Sequence, residues 1–298
     1  VTVVPAQTPV EKAASAAVSV PPVRRSRREL WLRVASAVVL APAVIAALIY
    51  GGWAFAAVWL TAGIVGFGEW IVMSRVEPRE VLIALGAATL AALVVTLQAE
   101  APALACFAVL ALGAAACATV ARTTAGRWRT LVGLLCAGII ASVPTALRDD
   151  PVLALIGPIW MFAVVWATDI TAYFVGRKIG GPKLMRAISP NKTWSGALGG
   201  LAGAVAAGTL VAVGADLLGF TLPRGASLPV VAGTSAVASV LSQAGDLFES
   251  WLKRRHGVKD SSRIIPGHGG VMDRLDGFFA VAVLAGLYLV LRGQGVIG

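Results

Sequence analysis

Gly245-Asp246-Leu247-Phe248-Glu249-Ser250-Trp251-Leu252-Lys253-Arg254-Arg255-His256-Gly257-Val258-Lys259-Asp260-Ser261-Ser262-Arg263-Ile264-Ile265-Pro266-Gly267-His268-Gly269-Gly270-Val271-Met272-Asp273-Arg274-Leu275-Asp276-Gly277 is the polar stretch around which the chain is organised. Long apolar segments flank it on both sides. It contains both histidines of the protein, five carboxylates (Asp246, Glu249, Asp260, Asp273, Asp276) and six basic residues (Lys253, Arg254, Arg255, Lys259, Arg263, Arg274). Hard oxygen ligands, fixed cations and a Pro-Gly-His-Gly-Gly turn are what a Mg²⁺–phosphate site needs. A loop that serves only topology is basic too, but it has no need of carboxylates at the membrane border.

Working outward, the 298 residues are 58% hydrophobic and only 13% charged, with mean hydropathy +0.83. A soluble domain of this size sits nearer about 45–50% apolar and about 25% charged, so the chain reads as a polytopic membrane protein. The net charge of +10 is not a nucleic-acid signature, because the basic residues fall between apolar spans. Cys106, Cys117 and Cys136 all lie inside apolar segments without CxxC spacing and read as small hydrophobes. Residues 1–29 form a disordered tail whose Arg24-Arg25-Ser26-Arg27-Arg28 cluster suits anionic headgroups. The tail lacks the apolar block of a signal peptide.

About 20 apolar residues cross a bilayer. Nine candidate spans satisfy that length: roughly 31–50, 53–73, 81–98, 101–121, 130–147, 152–175, 196–219, 228–249 and 277–293. No strand alternation accompanies them, so the predicted fold is an all-α transmembrane helical bundle. With the N-terminus cytoplasmic, inside segments carry 22 of the 25 Lys and Arg, leaving Arg148, Arg224 and Arg292 outside. The polar loops 176–195 and 250–276 then share the cytoplasmic face. Small residues such as Gly199-Gly200-Leu201-Ala202-Gly203 predict close helix packing. The absence of an internal repeat removes support for an inverted-repeat transporter. The organisation is a tail (1–29), N-terminal helices (30–150) and a catalytic membrane region (151–298).

Within that region, Asp169 ends an apolar run and Tyr173 follows at i+4, an intramembrane pair expected to face a polar interior. Ser189-Pro190-Asn191-Lys192-Thr193 immediately precedes a helix, whose first N–H groups favour an anion. The P-loop spacing is missing. Asp246, Glu249, Ser250 and Lys253 share one helix face, and Asp273 and Asp276 share another. If the loop folds back, Asp246 and Asp273 meet, and a metal between them relieves their repulsion. His268 has no zinc-ligand spacing and suits a hydrogen bond to phosphate or carboxylate. Glu69 is a further intramembrane carboxylate, whereas Asp216 is solvated near the outer interface. Trp31, Trp53, Trp70, Trp128 and Trp251 lie where an aromatic belt would place them.

The pattern Ser250-x-Leu252-Lys253-Arg254-x4-Lys259-Asp260-x5-Pro266-x-His268-Gly269-Gly270-x2-Asp273-Arg274-x-Asp276 resembles the signature of phosphatidate cytidylyltransferases (CDP-diacylglycerol synthases). Trp166-x2-Asp169-x2-Ala172-Tyr173-x2-Gly176 and Ser189-Pro190-x-Lys192-Thr193-Trp194 support the resemblance, which covers about 155–290 well. Ser195 and Ile170-Thr171 depart from the usual residues. The resemblance implies reaction of CTP with phosphatidate to CDP-diacylglycerol and pyrophosphate, with Mg²⁺, the number of ions (one, two divalent, or a divalent with a monovalent) being left open. It also implies a homodimer of nine-span subunits in a bacterial inner membrane, with the active site facing the cytoplasm. On that basis Asp246, Asp273 and Asp276 hold the metal. Lys253, Arg254, Lys259 and His268 act at the reacting phosphates. Ser189, Lys192, Thr193, Asp169, Tyr173, Gly269, Gly270 and Arg274 bind substrate. The alternatives are a CTP-dependent lipid kinase, a CDP-alcohol phosphotransferase (whose Asp-Gly-x2-Ala-Arg pattern is absent) and a membrane transporter.

Overall fold

A computed structural model describes residues 27–220, 222–223, 225–266 and 269–293, with side chains from Val38 onward. The basic tail, Trp31, Arg224, Gly267 and His268 therefore lie outside the described structure or side chains. The described residues form nine helices: α1 (Arg27–Tyr50), α2 (Gly52–Met73), α3 (Arg79–Gln98), α4 (Ala103–Val120), α5 (Thr124–Asp149), α6 (Ile156–Ile179), α7 (Trp194–Leu217), α8 (Leu228–Arg255) and α9 (Met272–Gly293). Eight of them, α2 to α9, are long and apolar enough to cross a membrane, and α1 is described as an apolar helix over Val38–Tyr50. The chain is an integral membrane protein of helical-bundle class.

One local expectation is corrected. The segment after α6 is not all loop: β1 (Lys183–Met185) and β2 (Ser189–Thr193) pair antiparallel, with Lys183 opposite Thr193 and Met185 opposite Ser189. The hairpin was illegible because its Ser-Pro-Asn-Lys-Thr strand has no period-2 apolar pattern. Thr193 then caps α7, its Oγ1 accepting from the Gly196 N–H at 3.1 Å.

The tightest seam lies between α6 and α7, and its glycines explain why. A Cβ on Gly199 would stand 2.6 Å from Val175 Cβ, and one on Gly203 would stand 2.3 Å from Thr171 Oγ1. In lipid the hydrophobic effect does not drive helices together, so such close backbone approach supplies the packing energy. Two buried clusters organise the remainder. Phe67, Ile71, Leu82, Leu90 and Leu134 join α2, α3 and α5. Phe55, Trp59, Met161, Val164, Phe278 and Val281 join α2, α6 and α9. Trp70 is not a belt residue: it is 9% exposed, and its Nε1 donates to Arg129 O at 2.7 Å. Trp53 and Trp128 are exposed on the bundle surface, as an aromatic belt requires.

At the end remote from the hairpin, two arginines tie the bundle. Arg148 donates from Nε to Leu48 O at 2.8 Å, meeting a carbonyl that the end of α1 leaves without a helical partner. Arg292 NH1 lies 2.8 Å from both oxygens of Asp150. Burial alone would raise the Asp150 pKa. The Leu153 and Val152 N–H groups and the Arg292 guanidinium outweigh it and hold the carboxyl below its ordinary value. The stabilisation is therefore complete above the unfolded pKa of about 3.9 and is lost as pH falls through the lower folded value. Thermal scans in detergent should show a loss of stability below about pH 4 that Asp150→Asn reduces.

Candidate active site

The functional side chains gather at the opposite end, on both sides of α8. One side is a polar cavity of about 680 Å³ between α6, the hairpin, the start of α7 and α8. Asp169 and Tyr173 reach it from α6, Asn191, Lys192 and Thr193 from the hairpin, and Gln243 and Asp246 from α8. Lys192 Nζ pairs with Asp246 Oδ2, and both side chains keep about 30% exposure, at 29% and 30%. The Lys192 position follows from the hairpin: Thr193 is fixed as the α7 cap, and the Trp194 N–H donates to Pro182 O at 3.1 Å. Ser195, at a position that departs from the family pattern, donates from Oγ to Gly180 O. Arg177 donates to Tyr173 Oη at 2.8 Å.

The other side is an apolar cavity of about 450 Å³ between α2, α5, α8 and α9. Gly63, Phe67, Val132, Phe248 and Phe279 line it, with Arg129, Arg255 and His256 as its basic residues. Glu249 and Asp276 also border it. Asp276 is linked electrostatically to Asp246 and Asp169, so these three carboxylates form one charge system spanning the two sides. Gly245 permits this proximity: a Cβ there would sit 2.7 Å from Asp276 O.

The signature loop, which joins α8 to α9, is held by buried charges. Lys253 Nζ donates to Asp273 Oδ1 at 2.6 Å and stands 3.1 Å from Glu249 Oε1. Lys253 is the positive charge that answers the buried Glu249 carboxylate. Asp273 Oδ2 accepts from Ser261 N at 2.9 Å, Ser261 Oγ at 3.0 Å and Gly270 N at 2.9 Å. The loop turns on reciprocal Ile265–Gly269 backbone bonds, with Gly269 at φ +87°, a conformation that glycine adopts without a steric penalty. Glu69 reaches this loop from α2.

The sequence-predicted residues thus fall into groups. Lys192, Thr193, Asp169, Tyr173 and Asp246 line the polar cavity. Lys253, Asp273, Gly269 and Gly270 build the loop. Asp276 belongs to the carboxylate system, and Arg274 acts electrostatically on Asp169. Ser189, on the hairpin, lines neither cavity, and Arg254 and Lys259 are exposed outside both. Lys183, Asn191, Arg129 and Arg255 do line cavities and were not singled out. They sat among basic and polar loop residues that topology already explained. Among the described residues no three His, Cys, Asp or Glu side chains form a complete metal cage. Mg²⁺ does not require one, since one or two carboxylates and substrate phosphates commonly hold it. Asp246 and Asp276 offer such oxygens, whereas both oxygens of Asp273 are already taken by Lys253, Ser261 and Gly270.

A basic hairpin, a carboxylate system and an adjoining apolar cavity lie together at one end of an integral membrane helical bundle. The particular family follows from comparison. Residues 31–292 match the model of the cytidylyltransferase family, and the chain belongs to that family. It is 42% identical over 260 residues to a protein of Brucella abortus biovar 1 (strain 9-941) named phosphatidate cytidylyltransferase, covering 87% of this chain and 92% of that one. A Brucella melitensis protein of the same name is 41% identical over the same proportions. A Staphylococcus aureus (strain COL) protein so named is 39% identical over 132 residues, 44% of this chain and 48% of its own.

The Gly245 contact gives a direct test of the geometry. Gly245→Ala should push α9 from α8, costing about 1–3 kcal/mol by overpacking and lowering the thermal midpoint in detergent. Gly214→Ala, where an added Cβ meets nothing within 4 Å, should leave the midpoint unchanged or slightly raised.

Proposed function

We propose that the protein is a phosphatidate cytidylyltransferase, converting CTP and phosphatidate to CDP-diacylglycerol and pyrophosphate in phospholipid biosynthesis. The observation that carries the reading is the pair of cavities flanking α8, one polar with Lys192 and one apolar with Arg129 and Arg255 at its border. The polar cavity suits a nucleotide triphosphate, and the apolar one suits acyl chains beneath an anionic headgroup. An oxygen of the lipid phosphate monoester attacks the CTP α-phosphorus, and the bond to the β-phosphate oxygen breaks to release pyrophosphate. The attacking phosphate is already largely ionised near neutral pH, because its second pKa is about 6, so no side-chain base is required.

What this chain contributes is placement and charge. Lys192 pairs with Asp246 at the polar cavity, where an incoming phosphate can exchange for that carboxylate, and the buried Lys253 pairs with Asp273 and adds positive charge beside it. Arg254 and Lys259 neutralise the outer phosphates and His268 hydrogen-bonds one of them. Ser189 and Thr193 keep the hairpin and helix start in place beneath the nucleotide. Asp169 and Tyr173 line the deep end of the cavity. Asp246 and Asp276 would hold Mg²⁺, which supplies charge neutralisation on the transferring phosphates when bound. The first five helices serve as scaffold and 151–298 as the catalytic region. The protein works as a homodimer of nine-span subunits in a bacterial plasma membrane, with the tail and this site on the cytoplasmic side.

The assay is purified protein with phosphatidate and labelled CTP, the lipid product being identified by mass. CDP-diacylglycerol with pyrophosphate supports the reading. A phosphorylated lipid with CDP would make the protein a CTP-dependent kinase, and no transfer from CTP together with CMP release from a CDP-alcohol supplied in its place would make it a phosphotransferase. Asp246→Asn should lower kcat/KM by about 100-fold or more with the protein still membrane-inserted. Asp216→Asn, exposed at the other end of α7, should retain wild-type activity.

A further inference from the structure

Glu69 lies near the end of α2, far in sequence from the signature loop, and is 3% exposed. Its carboxylate nevertheless meets two backbone N–H groups and two serine hydroxyls of that loop, the single Ser261 hydroxyl proton serving either Glu69 or Asp273. Oε1 accepts from Ser262 Oγ at 2.6 Å and Val271 N at 2.9 Å. Oε2 accepts from Met272 N at 2.8 Å and lies 3.0 Å from Ser261 Oγ. The two ends of the loop, Ser261-Ser262 and Val271-Met272, are thus tied to a single side chain. Gly270 records the same contact independently. A Cβ there would lie 2.6 Å from Glu69 Oε1, 2.7 Å from Oε2 and 2.0 Å from Ser261 Oγ. Ser261 is also a ligand of Asp273, whose other oxygen takes Lys253, so the network runs from Glu69 through Ser261 and Asp273 to Lys253.

We infer that Glu69 is the positioning residue of the reaction, clamping the base of the signature loop so that Asp273 and Lys253 are held ready for the phosphates. This inference rests on the catalytic reading of the loop given above. The chemistry requires a carboxylate. Each oxygen accepts one backbone N–H, which cannot reverse its polarity, whereas the two serine hydroxyls can rotate. A glutamine, whichever way its amide turns, sets an NH₂ group against either the Val271 or the Met272 N–H. The buried loop then loses an acceptor it cannot replace.

The test uses the full-length enzyme reconstituted in detergent micelles, with two readouts for Glu69→Gln. Trypsin cleavage at Arg263, which is exposed in the loop, reports loop order without requiring catalysis. Cleavage at Arg122, exposed between α4 and α5, reports general loosening. Glu69→Gln should accelerate Arg263 cleavage about tenfold with Arg122 unchanged. It should also lower kcat by about tenfold or more, with KM for CTP and phosphatidate changed less than about threefold. Ser262→Ala, which removes one donor and keeps the carboxylate, should shift both readouts in the same direction by less. Unchanged Arg263 cleavage would overturn the clamp, and so would equal acceleration at Arg122. Faster Arg263 cleavage with wild-type kcat would overturn the positioning role. A wild-type protein with no cytidylyl transfer would defeat the functional reading instead, while the cleavage comparison would still judge the clamp.

Discussion

Carboxylates buried at a membrane border set the constraint on which the rest of this structure depends. An ionised group taken from water must find donors or an opposite charge, or it destabilises the fold by several kcal/mol. Glu69 finds the Val271 and Met272 N–H groups and the Ser262 hydroxyl, and Asp273 finds the Ser261 and Gly270 N–H groups and Lys253. The Ser261 hydroxyl serves one or the other, and the partly exposed Asp246 finds Lys192. Each solution joins elements remote in sequence: α2 to the signature loop, α8 to α9, and α8 to the hairpin before α7. The charges that the proposed reaction needs are therefore the same charges that define how the polar end of the bundle is assembled.

The two sides of α8 divide the chemistry by solvent. Gln243 and Asp246 face a polar space shared with Lys192, whereas Phe248 and Leu252 face an apolar one shared with α2 and α5. One helix thus carries a boundary between a surface suited to a nucleotide and a surface suited to lipid. Gly245 sits at that boundary and lets α9 bring Asp276 close. The glycine seam between α6 and α7 then fixes the far wall of the polar cavity.

The helices were legible in the sequence because bilayer thickness imposes a length on apolar runs, and the observed helices fall where those runs lie. Asp246, Lys253 and Asp273 stood out for a similar reason, since polar residues are rare in the apolar runs, but Lys253 pairs with Asp273 whereas Asp246 pairs with Lys192 on the hairpin. Three things were not legible. The β-hairpin lacks alternation, so Lys192 looked like a loop residue rather than one held over a cavity. Trp70 shares its location with belt residues, and only tertiary packing distinguishes a buried indole from an interfacial one. Glu69 was visible as an intramembrane carboxylate, but its partners are backbone N–H groups about 200 residues away, and N–H groups leave no mark in a sequence. His268 and residues 1–26 lie outside the described residues.

The central claim is that α8 separates a nucleotide side from a lipid side. Photo-crosslinking tests it most directly, using phosphatidate with a diazirine in its acyl chain and, separately, an azido analogue of CTP. Labelled peptides are mapped by mass spectrometry. The expected result is lipid label on α2 and α5 around Gly63–Phe67 and Val132–Ala137, with nucleotide label on the hairpin and start of α7 around Lys183–Gly196. Nucleotide label on α2 and α5, or specific lipid label confined to α6 and α7, would contradict it.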